Sequence, residues 1–281
     1  MSENGRALVL GGGGVAGIAW LTGVLAGITG EGTDVTGADL LLGTSAGAAV
    51  AAQIGSGLAL GELFARQADP ALQNPELVPS GGVSLTEFGE IWMRLAEKDP
   101  DPAAIRRGLG ARALATDTVD ETKRRAVIEA RLPVHEWPAR DLRVTAVNAL
   151  TGDLRVFDRD SGVSLVDAVA ASCAIPMIWP PVTIGGIRYV DGGVRSPNNL
   201  DLAAGHGRVL LIAPMDGPVP AADVAEVEGR GGRVEVIVPD EASLAAFGDD
   251  PLDPSTRTPS ANAGLAQGGA AAARTSSFWA V

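Results

Sequence analysis

The chain has 281 residues, a single cysteine, and 34 acidic against 22 basic side chains, for a formal net charge of −12. That length can bury a full core in one large domain. The charge opposes attraction to nucleic acid or to strongly anionic membranes, and a lone Cys173 excludes an internal disulfide. The run Met1–Arg6 lacks the basic start and long apolar core of a secretory leader. A cytoplasmic location is therefore expected, in keeping with a reducing compartment.

The first predicted strand, Ala7–Leu10, runs into Gly11-Gly12-Gly13-Gly14-Val15-Ala16-Gly17, and Ile18–Ile28 then reads as a helix. Consecutive glycines let several amides point into one space with no Cβ in the way. Such a loop can build an oxyanion hole, cradle a phosphate, or simply turn the chain. Gly12–Gly17 also fits G-x-G-x-x-G, but a dinucleotide site wants an acid at the end of the second strand. Asp34 and Asp39 come before that strand or at its start, and no P-loop pattern is present. No cofactor is expected.

The second strand, Asp39–Leu42, ends in Gly43-Thr44-Ser45-Ala46-Gly47, and the small apolar run Ala48–Ile54 suits a helix. Strand, tight turn and helix are the context that a G-x-S-x-G nucleophile elbow requires. Gly43 and Gly47 allow the sharp bend and leave room around Ser45, whose Oγ would lie beside a helix N-terminus. Leu40–Leu60 is apolar but broken by glycines, hydroxyl residues and Gln53, so it is read as buried rather than membrane-spanning.

From Leu58 to Leu132 the pattern is helical. Phe88, Ile91, Trp92 and Leu95 share one face, and Pro100 and Pro102 break the run. This stretch reads either as an apolar cap over the site or as ordinary helix packing on the sheet, and packing is the expectation for any single side chain. Arg106-Arg107 and Lys123-Arg124-Arg125 read as solvated helix faces. His135 falls in a loop before a strand. Strands follow at Leu142–Val147 and Leu154–Phe157, with Thr151-Gly152-Asp153 between them.

Ile187–Val190 then leads into Asp191-Gly192-Gly193, an acid at the carboxyl edge of a sheet, where ligands bind in open α/β folds. Cys173 lies among apolar neighbours and reads as a buried, unreactive thiol. Ile178 and Trp179 are pocket candidates. Asn198, Asn199 and Asp201 read as caps before Leu202-Ala203-Ala204. His206 precedes the strand Val209–Ile212. The order Ser45, Asp191, His206 is that of an α/β-hydrolase triad, yet His206 sits at the amino end of its strand, away from the elbow. After the strand Val234–Val238, residues from about Asp250 begin with prolines and continue Ala-rich, as a terminal helix docked by Leu265, Phe278 and Trp279 or as a loose tail. Two histidines and one cysteine make no convincing metal site.

The glycine loop, the G-x-S-x-G and the Asp-Gly-Gly, in this order, resemble the patatin-like phospholipase family. Ala171–Val182 and Thr151-Gly152-Asp153 are similar to further segments of it, and the resemblance covers roughly residues 5 to 215. It implies a three-layer α/β/α domain with a mostly parallel sheet. That domain would span 1–281, with a helical insertion at about 58–132 and a C-terminal helix or tail at about 250–281. It also implies a serine–aspartate dyad without histidine. Ser45 would be the nucleophile and Asp191 the general base, with the amides of Gly12, Gly13 and Gly14 as the oxyanion hole. Gly17, Gly43, Gly47, Gly192 and Gly193 would be supporting motif residues. The implied substrate is a lipid or other carboxylic ester, and transient contact with a membrane surface is allowed. A catalytically weak fold that binds lipid is the alternative. One departure is Ala16, where the family usually carries Arg or Lys; positive charge beside the loop is lost. An ordinary Asp, with a pKa of about 3.9, is a weak base for a serine hydroxyl, so burial must raise it.

Overall fold

The computed structural model describes residues 5–280. The first four residues, which carry most of the leader reading, and Val281 lie outside the described residues. The chain opens with β1 (Arg6–Leu10), α1 (Gly14–Gly30), β2 (Leu40–Gly43) and α2 (Ala46–Gly55). Four helices follow: α3 (Leu60–Ala68), α4 (Leu85–Lys98), α5 (Pro102–Ala115) and α6 (Glu121–Arg131). Then come β3 (Asp141–Asn148), β4 (Leu154–Phe157), α7 (Leu165–Ser172), β5 (Val182–Ile184) and β6 (Ile187–Asp191). The chain closes with β7 (Arg208–Ile212), α8 (Ala221–Glu228), β8 (Arg233–Ile237), α9 (Glu241–Phe247) and α10 (Arg257–Trp279).

All these strands join one sheet in the order β5-β6-β3-β2-β1-β7-β8, with β4 also paired to β3. Strands β3, β2, β1, β7 and β8 run parallel, while β4 and β6 run antiparallel to β3, and β5 to β6. Helices cover both faces, making a three-layer α/β/α architecture with a mostly parallel sheet. That is why β1 and β2 read as unbroken apolar runs rather than alternating ones. Leu8, Leu10 and Leu41 face the core containing Trp20, Val50 and Val169, whereas Ala7, Val9, Leu40 and Leu42 face Leu200, Leu211 and Val227.

The helical stretch is not one detached cap. Helix α3 lies against α1 and α10, and α6 against α7. Helix α4 starts at a reciprocal cap in which Ser84 Oγ accepts from the Glu87 amide and the Glu87 carboxylate accepts from the Ser84 amide. Its apolar face, Phe88, Ile91, Trp92 and Leu95, packs on Leu109, Val147, Met177 and Val190, at the ends of β3 and β6. Among the described residues no helix is long and apolar enough to cross a membrane.

Helix α10 corrects one expectation. Leu265 is partly exposed and does not dock it, although Trp279 is buried. The contact with α1 runs through glycines four residues apart, Gly23 and Gly27 on α1 and Gly264 and Gly268 on α10. A Cβ on Gly264 would strike the Trp20 carbonyl, and one on Gly27 would come within 2.6 Å of the Gly269 amide nitrogen. The two backbones touch, so only glycine fits. Gly264→Leu is expected to lower the unfolding free energy in urea by about 3 kcal/mol. Gly30→Ala, with nothing within 4 Å of the new methyl, is expected to change it by less than about 0.5 kcal/mol.

Candidate active site

Strand β2 ends at Gly43, and the chain turns sharply into α2 through Ser45, whose φ and ψ are 53° and −115°. A non-glycine residue with positive φ persists only where its surroundings hold it. Here the Thr44 amide donates to the Leu10 carbonyl at 3.0 Å and the Gly47 amide to the Gly11 carbonyl at 3.0 Å. The Ser45 amide donates to Ser172 Oγ at 2.9 Å, and the Cys173 thiol donates to the Ser45 carbonyl at 3.3 Å. A Cβ on Gly47 would run into the Leu10 carbonyl, and one on Gly43 would lie 2.6 Å from the Ala48 nitrogen. Both glycines are required by close approach.

Strand β3 carries the acid to this turn. Its Val144–Val147 edge is taken by β4, so β2 and β6 share the other edge end to end. Gly43 pairs with Val144, where β2 leaves the sheet, and Asp191 pairs with Ala146 just beyond it. The antiparallel β6 thus fills the place that the elbow vacates. Asp191 is 4 % exposed and Ser45 8 %. Asp191 Oδ1 accepts from the Gly193 amide at 2.7 Å. Oδ2 is buried and has no hydrogen-bond partner among the described residues. Burial pushes the Asp191 carboxyl up to about 7, while the Gly193 amide and then the Ser45 hydroxyl pull it back. The hydroxyl therefore lies close to the carboxyl without completing a hydrogen bond to it. Such contacts are often loose without substrate and tighten with it.

The glycine loop passes beside the serine, since a Cβ on Gly12 would sit 3.5 Å from that of Ser45. One part of the expected oxyanion hole needs correction. The Gly12 amide is already engaged, donating to the Pro197 carbonyl at 2.9 Å, so it is not a free donor. Among the described residues the amides of Gly13 and Gly14 have no acceptor, and they lie at the start of α1, where the helix dipole favours negative charge. Gly14 has φ 67°. Gly17 packs against Pro214 and Ala46. Ala16 is fully buried in the core, so the packing there has no room for a longer basic side chain.

Several residues that hold the site escaped the sequence reading. Asn199 does not cap a helix with its side chain: it is buried, with φ 49°. Its Nδ2 donates to the Ser196 carbonyl at 2.8 Å, to Thr44 Oγ1 at 3.0 Å and to the Gly192 carbonyl at 3.3 Å. It thereby ties the serine turn to the aspartate turn. Thr145 on β3 shares a 2.9 Å hydroxyl contact with Thr44, and a Cβ on Gly192 would collide with Thr145. Ser172, inside an apolar run, offered a signal: a lone hydroxyl at a helix end, with an unspent acceptor.

Neither histidine reaches the site. His206 precedes β7 at the amino edge, where Arg208 aligns with Arg6, and its Nδ1 is 2.9 Å from the Ala203 carbonyl. His135 lies 3.8 Å from Glu129 on the surface. Among the described residues no group of three metal-ligating side chains comes together.

The space beside Ser45 is about 20 Å³, walled by Gly14, Ile18, Arg124, Cys173, Trp179 and Leu252 among others. In this conformation it has room for about a water, so an ester enters only as its walls move apart. Arg124 also departs from the expectation. It is not on a solvated face but 6 % exposed, with its guanidinium over the Trp179 ring at 3.7 Å. Its neighbour Arg125 does face outward, bonded to Asp167 at 2.6 Å.

A sequence model of the patatin-like phospholipase family matches residues 8–204, which take in the glycine loop, the serine elbow and Asp191-Gly192-Gly193. The chain belongs to this family. Patatin-like phospholipases are, as a class, lipid acyl hydrolases. No curated protein matches the sequence. Among solved structures, the crystal structure of VipD from Legionella pneumophila is similar at 13 % identity and a TM-score of 0.48. That match covers 94 % of this chain, which spans 66 % of the VipD chain. The patatin-like match ends at residue 204, in the segment between β6 and β7, so β7, β8 and the glycine-packed α10 lie beyond it.

Proposed function

We propose that this patatin-like protein is a serine hydrolase of lipid carboxylic esters, with Ser45 as nucleophile and Asp191 as general base. The observation that carries this reading is a buried carboxyl with one unpartnered oxygen beside a serine held at positive φ. Burial gives Asp191 the basicity an ordinary aspartate lacks.

Ser45 Oγ attacks the ester carbonyl as its proton passes to Asp191 Oδ2. The carbonyl oxygen becomes an oxyanion facing the free amides of Gly13 and Gly14, each such donor being worth about 2.7–4 kcal/mol in the barrier. The tetrahedral adduct collapses, the bond to the leaving oxygen breaks, and Asp191 returns the proton to that alcohol. Water then attacks the acyl-enzyme, gives its proton to Asp191, and the second adduct releases the carboxylic acid and restores Ser45.

The narrow space beside Ser45 favours a second reading, a patatin-like fold without turnover at Ser45 that binds lipid elsewhere on its surface. Intact-mass analysis after treatment with a fluorophosphonate separates the two. One adduct per wild-type chain and none on Ser45→Ala is expected. A folded wild-type protein that takes no adduct would overturn the hydrolase reading and leave lipid binding in its place.

A further inference from the structure

Arg124 and Arg131 line the space at Ser45, and the cluster behind them holds more positive charge than its one carboxylate can answer. Glu76, Arg124, Arg131 and Arg257 are buried together in a chain whose net charge is −12. Glu76 is committed to Arg131, with bonds of 2.8 and 2.6 Å to Nε and Nη2. Burial pushes the Glu76 carboxyl up, but Arg131 and Arg124 outweigh it and hold it below its ordinary value. Arg257 donates to Asn74 and Arg66 carbonyls and to Gln67 Oε1. Arg124 is left over. Its Nη1 is 4.0 Å from Glu76 Oε2, beyond hydrogen-bond reach, and its Nε and Nη1 are buried without a partner among the described residues.

A buried guanidinium with unmet donors is costly and is normally answered by an anion. Stacking on Trp179 fixes the plane of this one and leaves its edge free. Desolvation, and then repulsion from Arg131, lower its pKa to about 9. The other groups facing it supply no further negative charge: burial pushes the Cys173 thiol up to about 12, so it stays neutral. Arg124 and Ser45 line the same space. The first glycine loop carries Ala16 and no cation, so α6 supplies the positive charge at this site.

We infer that Arg124 is the receptor for an anionic oxygen group, a phosphate or a carboxylate, carried by the substrate close to the ester that Ser45 attacks. This rests on the hydrolase reading, and it makes the preferred substrate an anionic acyl ester. Arg124 is then a specificity residue on a helix whose charge run reads as solvent-facing.

The first arm of the test is kinetic. p-Nitrophenyl esters of butyric acid and of succinic acid (the latter with a free carboxylate) are compared in wild type, Arg124→Gln and Arg124→Lys. The ratio of kcat/KM for the anionic to the neutral ester is expected to be at least tenfold in wild type. It should fall to about one in Arg124→Gln, through KM, and be partly kept in Arg124→Lys. The ratio does not depend on the fraction of protein that is folded. A ratio that stays the same in Arg124→Gln overturns the inference and leaves Arg124 as a packing cation. The second arm needs no turnover. Octyl phosphate and octanoate are titrated into Ser45→Ala and into the Ser45→Ala, Arg124→Gln double variant, read by tryptophan fluorescence. At least tenfold weaker binding without Arg124 is expected, and the tighter of the two ligands identifies the anion. Equal affinities overturn the inference even if the protein proves not to be a hydrolase. A failed fluorophosphonate reaction with Arg124-dependent binding would instead overturn the hydrolase reading alone.

Discussion

Asp191→Asn is expected to lower kcat/KM by roughly 10³-fold and, at the same time, to stabilise the fold above pH 7. The loss follows because an amide keeps the bond from the Gly193 amide but cannot take the Ser45 proton; general-base catalysis is typically worth about 10²–10⁴-fold. The gain follows from the same burial that makes the base. The carboxyl titrates near 3.8 when unfolded and near 7 when folded. The folded state therefore holds the proton more tightly. The stability tied to that proton is full below about pH 4 and is lost as pH rises from about 4 to about 7. A shift of about three pH units corresponds to at most about 4 kcal/mol. In urea unfolding, Asp191→Asn should match wild type near pH 4 and exceed it increasingly up to pH 7, with a constant gap above. The wild-type kcat/KM should rise with pH and level off above about 7, because only the carboxylate accepts the proton. A histidine would give a similar limb, so His206→Ala and His135→Ala must leave it in place. A limb that vanishes in His206→Ala would break the dyad.

The serine and aspartate motifs were legible because their constraints are local. Gly43 and Gly47 are needed wherever a strand must turn at once into a helix, and Gly192 wherever an acid-bearing turn must pass close to a neighbouring strand. What places Asp191 beside Ser45 is not local: it is the register of β6 on the edge of β3 that β2 abandons. The Gly12 amide was illegible for the same reason, since its acceptor, Pro197, comes from a distant loop. Lys123-Arg124-Arg125 shows the limit of pattern reading. Successive helix positions are about 100° apart, and charge alone does not say which of them turns inward to meet Trp179. Strand β5 did leave a signal. Gly185 and Gly186 have φ of 58° and 81°, the two-residue glycine loop of a tight hairpin; the sequence reading began at Ile187 and missed the partner strand. At the end of the chain the apolar docking of Phe278 and Trp279 was legible, whereas the bare backbone contact of α10 with α1 was not, since a glycine spaced four residues from another carries that information only once its partner helix is known.

Ser45→Ala and Ser45→Gly remove the same nucleophile but differ in what they do to the backbone. Both are expected to lower turnover by about 10⁴-fold or more, since no other hydroxyl in the turn occupies the position that faces the Asp191 carboxyl. Alanine keeps the Cβ, and with it the cost of φ 53° and ψ −115°. Strain of this kind is worth about 1–3 kcal/mol, and glycine releases it while losing about 0.4–1 kcal/mol through the greater freedom of its unfolded chain. Ser45→Gly should therefore unfold about 1 kcal/mol later than Ser45→Ala in urea at the same pH. If Ser45→Gly proves less stable than Ser45→Ala by about 0.4–1 kcal/mol, the turn is not strained and the hydrogen bonds with Ser172 and Cys173 hold a relaxed conformation. If either variant keeps more than a few per cent of wild-type turnover, Ser45 is not the nucleophile. The pair separates chemistry from backbone: turnover reads the hydroxyl, and the difference in stability reads the bend that aims it.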